Sequence, residues 1–160
     1  MNGGIIPSLL LCATIGLLLS FTMGRVAWLA VSGMAAAAVV MALVALPQSL
    51  ATAIFVGIWS TIIATAALAY FPPAVAARWA LPLAIVAGVG VGSLASLSVR
   101  KSDLVLALPI ALLFVPGRWV VAHGYGLGIK IVASWMIAIA MLSTFVSLTP
   151  TPGYKPDHME

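Results

Sequence analysis

The chain has 160 residues, of which 64% are hydrophobic and only 6% are charged, and its formal net charge is +4. A soluble domain carries about 25% charged residues because its surface faces water, so this chain has too few polar groups to be a soluble globule. Disorder is excluded for the opposite reason, since disordered segments are poor in apolar residues. We therefore expect an all-α integral membrane protein whose exterior faces the lipid bilayer.

The N-terminus reads MNGGIIPSLLLCATIG. It lacks the positively charged start of a secretory signal peptide, and Leu11 stands where a lipoprotein signal would have a small residue before its cysteine. We interpret this segment as a retained first membrane span. Cys12 is the only cysteine, which excludes an internal disulfide and a thiolate metal cluster.

Proline and polar residues divide the chain into apolar segments of the length that a membrane helix needs, roughly 20 residues. The predicted spans are 5–23, 26–46, 50–71, 80–99, 104–122 and 127–148, and an exposed polar tail follows over 149–160. The fold prediction is a single membrane domain, a polytopic bundle of about six transmembrane helices.

The fifth segment, 104–122, leaves two alternatives open. Its apolar part, LVLALPIALLFV, is too short to cross a bilayer by itself, and continuation to Ala122 adds Pro116, Gly117 and Arg118. The segment is either a kinked crossing helix or a half-helix that re-enters on the same side, which would give five spans plus a re-entrant segment. We expect it to cross.

The basic residues leave the orientation open. With six spans, one side receives Arg25, Arg78, Arg118 and Lys130, and the other side receives Arg100, Lys101 and Lys155. The positive-inside rule then gives no decision. Two halves of three helices each would have opposite orientations, as in inverted-repeat transporters; six unrelated spans are the alternative.

Small side chains recur every four residues in three spans. They are Ser8, Cys12, Gly16, Ser20 and Gly24 in the first, Ala53, Gly57, Thr61, Thr65 and Ala69 in the third, and Ala80, Ala84, Gly88, Gly92 and Ser96 in the fourth. Small residues at this spacing allow membrane helices to approach closely. We expect these faces to be buried, with Gly16, Ser20, Gly57, Thr61, Gly88 and Gly92 as helix-packing residues; a narrow pore is the alternative.

The tryptophans are candidate anchors at the membrane interface. Trp79 and Trp119 fit best, since each follows an arginine near the end of a span. Trp59 and Trp135 lie deeper in their spans, and we expect them to pack inside the bundle.

Arg118, His123 and Lys130 lie close together in the segment 114–135, whereas Arg25 and Arg78 are the only charged residues among the first 99. The glycines after His123 predict a turn at the surface, and the broken helix at Pro116 could line a cavity. These three residues are candidate substrate-binding residues, in an anion-binding or gating cluster. The alternative is a set of boundary side chains solvated at the headgroups.

The acidic residues are Asp103, Asp157 and Glu160, all in a loop or the tail. No span carries a carboxylate for a proton or cation relay, and the motifs H-E-x-x-H, G-x-S-x-G and C-x-x-C are missing. We therefore expect neither an enzyme nor a bound cofactor or metal. The chain also lacks the clustered basic face that nucleic-acid binding needs.

Two functions fit these features. The first is a transporter or channel-like protein, or its membrane subunit, for a neutral or anionic small solute. The alternative is a non-transporting subunit or assembly component of a larger membrane complex. In both cases we expect a cell membrane location, as in a bacterial inner membrane, and a homo-oligomer or partner membrane subunits. A polar cavity reaching Arg118 or Lys130 would favour transport, and a solid interior with an apolar groove on one face would favour the subunit.

Overall fold

The computed structural model describes residues 5–22, 24–97 and 106–148, and the regular elements in this part of the chain are all helical. They are α1 (Ile5–Leu19), α2 (Gly24–Leu43), a short 3-10 turn (Gln48–Leu50), α3 (Ala51–Leu68), α4 (Pro73–Leu97), a 3-10 helix (Leu108–Leu113), α5 (Phe114–Ala122) and α6 (Gly126–Leu148). The predicted tail at 149–160 lies outside the described residues, as do Arg100, Lys101 and Asp103.

Four helical segments are long and apolar enough to cross a membrane: Gly24–Leu43, Gln48–Leu68, Pro73–Leu97 and Gly126–Val146. They indicate a membrane-embedded, all-helical protein, as the composition predicts. The predicted count of six spans is not confirmed, because the first and fifth segments supply the shorter apolar helices Ile6–Leu19 and Leu108–Ala122.

Two helix boundaries differ clearly from the predicted ones. α4 begins at Pro73 and not at residue 80, because proline is well accommodated in the first turn of a helix, where its missing N–H is not needed. α1 ends at Leu19 and not at residue 23. The hydroxyl of Ser20 there donates a hydrogen bond of 3.0 Å to the carbonyl of Gly16.

α1 lies at the centre of the bundle. It contacts α3, α4, the 3-10 helix, α5 and α6, and the side chains of Leu11, Cys12, Ile15 and Leu19 are fully buried. Around it, α2 packs on α4, α4 on α3, α3 on α6, α6 on α5, and the 3-10 helix on α2. A helix that is apolar on all sides is suited to burial on all sides. Its 15 residues meet mainly protein, and the helix is shorter than the roughly 20 residues that a full membrane span needs.

The fifth segment continues in one direction from Leu108 to Ala122. Its 3-10 part has 6 residues and its α-helical part has 9. At about 2.0 Å per residue in a 3-10 helix and about 1.5 Å in an α-helix, the segment extends about 25 Å, against roughly 30 Å for the hydrocarbon core. It runs parallel to α1, since Gly16 lies against Ala111, and Ser20 lies against Gly117.

α2 and α4 form the most extensive helix contact in the described chain. Gly88 of α4 lies against the backbone of Met34, and Gly92 lies against the backbone of Ala38. Because residue numbers rise together along this contact, the two helices are parallel. Backbone approach of this kind is what small residues allow between membrane helices.

Candidate functional site

The charged side chains of the described residues, Arg25, Arg78, Arg118 and Lys130, all lie at one end of the bundle, which we call the basic end. α1, α3 and α5 finish there, and α2, α4 and α6 begin there. Contacts across the end link these elements: the hydroxyl of Tyr70 after α3 donates a 2.7 Å hydrogen bond to the carbonyl of Lys130 in α6. The part of the chain that the structure describes contains no Asp or Glu.

Arg118 is exposed at the basic end and lies on the start of α2. Its Nη1 atom is 2.6 Å from the position that a Cβ atom would take at Gly24. The absence of a side chain at Gly24 therefore makes room for the guanidinium. Gly117, the neighbour of Arg118, packs against Ser20, which fixes α5 on the end of α1.

His123 and Lys130 have surroundings that differ from those of Arg118. The exposed His123 ring lies 4.2 Å from the ring of Trp119, measured between centroids. Its Nδ1 is 2.8 Å from the carbonyl oxygen of Trp119, so this nitrogen is the donor. Gly124 then turns the chain with a φ of 84°, in the left-handed region that glycine adopts readily. The three predicted site residues share one end, but Arg118 contacts α2, His123 contacts its own helix, and the Lys130 carbonyl contacts Tyr70.

Exposed aromatic side chains surround the basic end. Trp28, Trp79 and Trp119 are each more than half exposed, which suits rings at the headgroup level of a membrane. Trp59 is buried. Trp135, predicted to pack inside, is 70% exposed, because α6 turns Ala133 and Ala140 toward the bundle and leaves Trp135 on its outer side.

The small-residue faces of the first and fourth spans are largely buried, but that of the third span is buried only in its C-terminal part. Thr65 and Ala69 are buried, whereas Gly57 is exposed. In the described ranges, no atom outside its own stretch of helix lies within 4 Å of the position that a Cβ would take at Gly57. The prediction that Gly57 packs against another helix is therefore not met among the described residues. α3 contacts the core through Ile58 and Ile62, and this orientation turns Gly57 outward.

Thr61, also predicted as a packing residue, is half-buried beside Gly57. Its hydroxyl donates a hydrogen bond of 2.8 Å to the carbonyl of Gly57 in the same helix. It therefore lies at the edge of the exposed face of α3 and not in a tight helix contact like those of Gly88 and Gly92.

Gly57 and Thr61 line an open groove between α3 and α4, which we call the α3–α4 groove. Its other lining residues are Ile54, Ile58, Val86, Val89, Gly90 and Ser93, and its volume is about 190 Å³. Small-molecule sites usually occupy about 300–1,000 Å³, so this groove is suited to side chains of a neighbouring helix. The four-residue spacing in the sequence identifies Gly57 and Thr61 as part of a face of small residues. It does not show that this part of the face lies on the outer side of the bundle.

A second groove of about 370 Å³ lies between α2 and the 3-10 helix, and it is lined by Val31, Met34, Ala35, Leu108, Pro109, Ala111 and Leu112. Its side chains are all apolar, so it offers no group that would orient a polar solute. Neither groove is lined by Arg118, His123 or Lys130.

Two buried polar atoms of α3 have no hydrogen-bond partner in the part of the chain that the structure describes: the indole Nε1 of Trp59 and the hydroxyl Oγ1 of Thr65. The two side chains are 3% and 0% exposed. An unpaired polar group in the interior of a membrane protein is costly. Thr65 belongs to the small-residue pattern of the third span, but nothing in the sequence indicates that its hydroxyl is unpaired.

Within the described ranges, no group of three or more His, Cys, Asp or Glu side chains is arranged to hold a metal ion. No protein family, curated protein or solved structure matches this chain.

Proposed function

We propose that this protein is a non-transporting membrane subunit that assembles with a transmembrane helix of another chain through the α3–α4 groove. The observation that carries the proposal is the exposed Gly57: among the described residues, no atom outside its own stretch of helix lies within 4 Å of the position that a Cβ would take there. Burying leucine against another helix gains little over leaving it in contact with lipid tails. Small residues instead promote association, because they allow a second helix to approach closely.

The chain itself offers a comparison for such a contact. Gly88 and Gly92 of α4 receive the backbone of α2 at Met34 and Ala38. Gly57 also lacks a side chain, but no helix of the described residues lies against it. An added helix could lie against Gly57 as α2 lies against Gly88.

The hydroxyl groups of the groove are consistent with an apolar partner. Thr61 donates to the carbonyl of Gly57, and Ser93 donates to the carbonyl of Val89 at 2.7 Å. Because these donors are used within their own helices, a partner helix meets a surface of methyl groups and backbone. Dispersion and close packing would then stabilise the assembly.

The test is the substitution Gly57→Leu, which fills the groove, with Val40→Leu as its matched control. Val40 is exposed on α2, outside the groove. The protein is extracted from membranes in a mild detergent and purified. Light scattering and native mass spectrometry then give the protein mass of the protein–detergent complex. We expect the wild type and Val40→Leu to retain a second chain and Gly57→Leu to run as a monomer.

The identity of the retained chain distinguishes a homo-oligomer from a complex with a different subunit. A wild type that carries no second chain in the membrane extract would contradict the proposal. A Gly57→Leu protein that keeps its partner would also contradict it. The substitution should leave the fold of the monomer intact, because the added side chain has open space, so a loss of the partner would report on the groove alone.

A second candidate is passage of a neutral or anionic small solute through the bundle, and it is favoured by the unpaired atoms of Trp59 and Thr65. Water or a polar solute between the helices would satisfy them. The test is solute flux into proteoliposomes for Thr65→Val, with Ser60→Ala as control, because the exposed Ser60 hydroxyl already donates to the carbonyl of Val56. Flux that falls only for Thr65→Val would support transport, and flux equal to that of empty liposomes would contradict it.

A further inference from the structure

We infer that the two halves of the bundle, α1 to α3 and α4 to α6, form an inverted repeat, and that the chain exchanges between the observed conformation and a second one in which the halves have swapped their helix contacts. The inference concerns motion within one chain, so it does not depend on the proposed assembly. It rests on two helix contacts that have the same geometry and differ in closeness. One is the contact of α2 with α4, and the other is that of α1 with the fifth segment, Leu108–Ala122.

The helices of the two halves run in opposite directions. In the first half, α1 and α3 finish at the basic end and α2 begins there. In the second half, α4 and α6 begin at the basic end and the fifth segment finishes there. Opposite orientation of two three-helix units is the condition for an inverted repeat in a membrane protein.

α4 receives the backbone of α2 at two glycines. A Cβ added at Gly88 would meet the carbonyl oxygen of Met34 and, at 3.0 Å, the Cβ of Ala37, which lies three residues further along α2. Gly92 repeats this kind of contact one helical turn later. The contact therefore joins a glycine of the first helix of one half to the middle helix of the other half.

α1 receives the fifth segment in the same way. A Cβ added at Gly16 would lie 3.4 Å from the carbonyl oxygen of Ile110 and 3.2 Å from the Cβ of Leu113, again three residues further along a parallel helix. Exchange of the halves makes α1 equivalent to α4, and the fifth segment equivalent to α2. Gly88 lies 72 residues after Gly16, and Ile110 lies 76 residues after Met34. One shift along the sequence therefore relates the two contacts to within about half a helical turn.

The two contacts differ in closeness. At Gly88, the carbonyl carbon of Met34 lies 2.9 Å from the Cβ position and its oxygen lies nearer still, whereas at Gly16 the nearest atom, the carbonyl oxygen of Ala111, is 2.9 Å away. The backbones differ as well, because α2 is an α-helix and the fifth segment is a 3-10 helix of 6 residues where it meets Gly16. A 3-10 stretch inside a longer helix often marks a hinge. Its conversion to an α-helix would shorten it by about 3 Å.

A chain with two equivalent halves in unequal conformations has a counterpart conformation, in which each half adopts the arrangement of the other. In that conformation the fifth segment is α-helical and packs on Gly16 as closely as α2 packs on Gly88 in the observed one, and the α2–α4 contact is looser. Packed helix interfaces favour such discrete arrangements over intermediate ones. In membrane proteins with inverted repeats, motion of one half against the other opens the two ends in turn.

The experiment compares two equivalent distances in the full-length protein, which is spin-labelled on cysteines in a Cys12→Ala background and reconstituted in lipid nanodiscs. The first pair, Phe21→Cys with Val120→Cys, reports on the contact of α1 with the fifth segment. The second pair, Val44→Cys with Leu97→Cys, reports on the contact of α2 with α4. Phe21 and Leu97 are 76 residues apart, as are Val44 and Val120, and none of the four side chains is fully buried. Dipolar EPR spectroscopy gives both distances, and dilution with unlabelled protein restricts them to distances within one chain.

The perturbation is Gly88→Ala, which disfavours the close contact of α2 with α4. We expect it to lengthen the second distance and to shorten the first, because the exchanged conformation gains population. Gly33→Ala is the matched control in α2. An added Cβ there would lie 3.6 Å from the Cδ1 of Leu81 in α4, which is an ordinary contact, so both distances should stay the same.

Three results would overturn the inference. The first is a second distance that lengthens in Gly88→Ala while the first distance stays the same or lengthens too, because the contact would then loosen without exchange. The second is two unchanged distances in Gly88→Ala, and the third is an equal shift in Gly33→Ala. Gly92→Ala disturbs the same contact one turn later, and it takes the place of Gly88→Ala if that variant does not fold.

Discussion

The contact between α2 and α4 makes a strong prediction about Gly88. An added Cβ at this position would lie against the carbonyl oxygen of Met34, 2.9 Å from the carbonyl carbon of Met34 and 3.0 Å from the Cβ of Ala37. Favourable contacts between carbon atoms are about 3.5–4.0 Å long. Gly88→Ala therefore requires α2 and α4 to separate by about 0.5–1 Å. The atoms in the way belong largely to the backbone, which has little freedom to move aside.

The magnitude follows from two opposing contributions. Overpacking costs about 1–3 kcal/mol, and the upper part of this range applies because a helix backbone must move. Alanine gains about 1 kcal/mol over glycine in helix propensity. We therefore expect Gly88→Ala to lower the free energy of unfolding by about 2 kcal/mol.

The matched control is Gly57→Ala, which makes the same chemical change where the added Cβ meets no neighbouring element of the described chain within 4 Å. It should leave the stability of the monomer unchanged or raise it by up to about 1 kcal/mol. The assay is unfolding of the monomer in mixed micelles at increasing SDS content, followed by tryptophan fluorescence and circular dichroism. The reasoning is refuted if Gly88→Ala is as stable as Gly57→Ala.

Three further predictions concern single contacts. Cys12 is fully buried, so a maleimide should label it slowly in the native protein and rapidly after unfolding in SDS; rapid native labelling would mean that α1 is not central. Tyr70→Phe removes the hydrogen bond to the Lys130 carbonyl and should lower the free energy of unfolding by about 0.5–1.5 kcal/mol, measured by the same SDS titration; an unchanged transition would show that this bond does not hold α3 to α6. Gly117→Ala places a methyl group 2.9 Å from the Cβ of Ser20 and should lower the free energy of unfolding by about 1–3 kcal/mol. In the double variant with Ser20→Gly, most of this loss of stability should be restored, and additive effects of the two substitutions would argue against the contact.

The class of the protein follows from composition, because a chain with 6% charged residues leaves its apolar exterior to lipid. The bounds of α2 (Gly24–Leu43) and α6 (Gly126–Leu148) agree closely with the predicted spans 26–46 and 127–148. These spans end at local signals, proline, glycine and polar residues, which act without the rest of the fold. Pro73 misled the prediction of α4 because proline also begins helices.

The arrangement of the helices could not be predicted in the same way. Hydropathy does not distinguish a helix surrounded by protein from one surrounded by lipid, so nothing in the composition of α1 indicates that it lies at the centre. Gly57 and Gly88 have the same residue type and belong to the same four-residue rhythm, yet Gly57 is exposed and Gly88 is buried. Which side of a helix faces the bundle is decided by its bulky residues, such as Ile58 and Ile62, and by the partners that they meet.

The predicted cluster of Arg118, His123 and Lys130 shows the same division between local and tertiary information. The sequence places the three residues at one end, because the glycines after His123 make a turn. The contact of Arg118 with Gly24 joins residues that are far apart in the chain, so local sequence signals could not predict it. His123 and Lys130 do not share this contact. The His123 ring contacts Trp119 of its own helix, and the carbonyl of Lys130 accepts a hydrogen bond from Tyr70.

The measurement that tests the proposed assembly most directly is photo-cross-linking from Gly57→Cys, labelled with a benzophenone maleimide in native membranes, in a Cys12→Ala background. Leu142→Cys is the control, since Leu142 is exposed on α6, outside the groove. We predict that irradiation joins position 57 to a second chain, because the benzophenone inserts into C–H bonds and needs no thiol on the partner, while position 142 stays largely uncoupled. Equal cross-linking at both positions, or none at position 57, would contradict the assignment of the α3–α4 groove as the assembly surface.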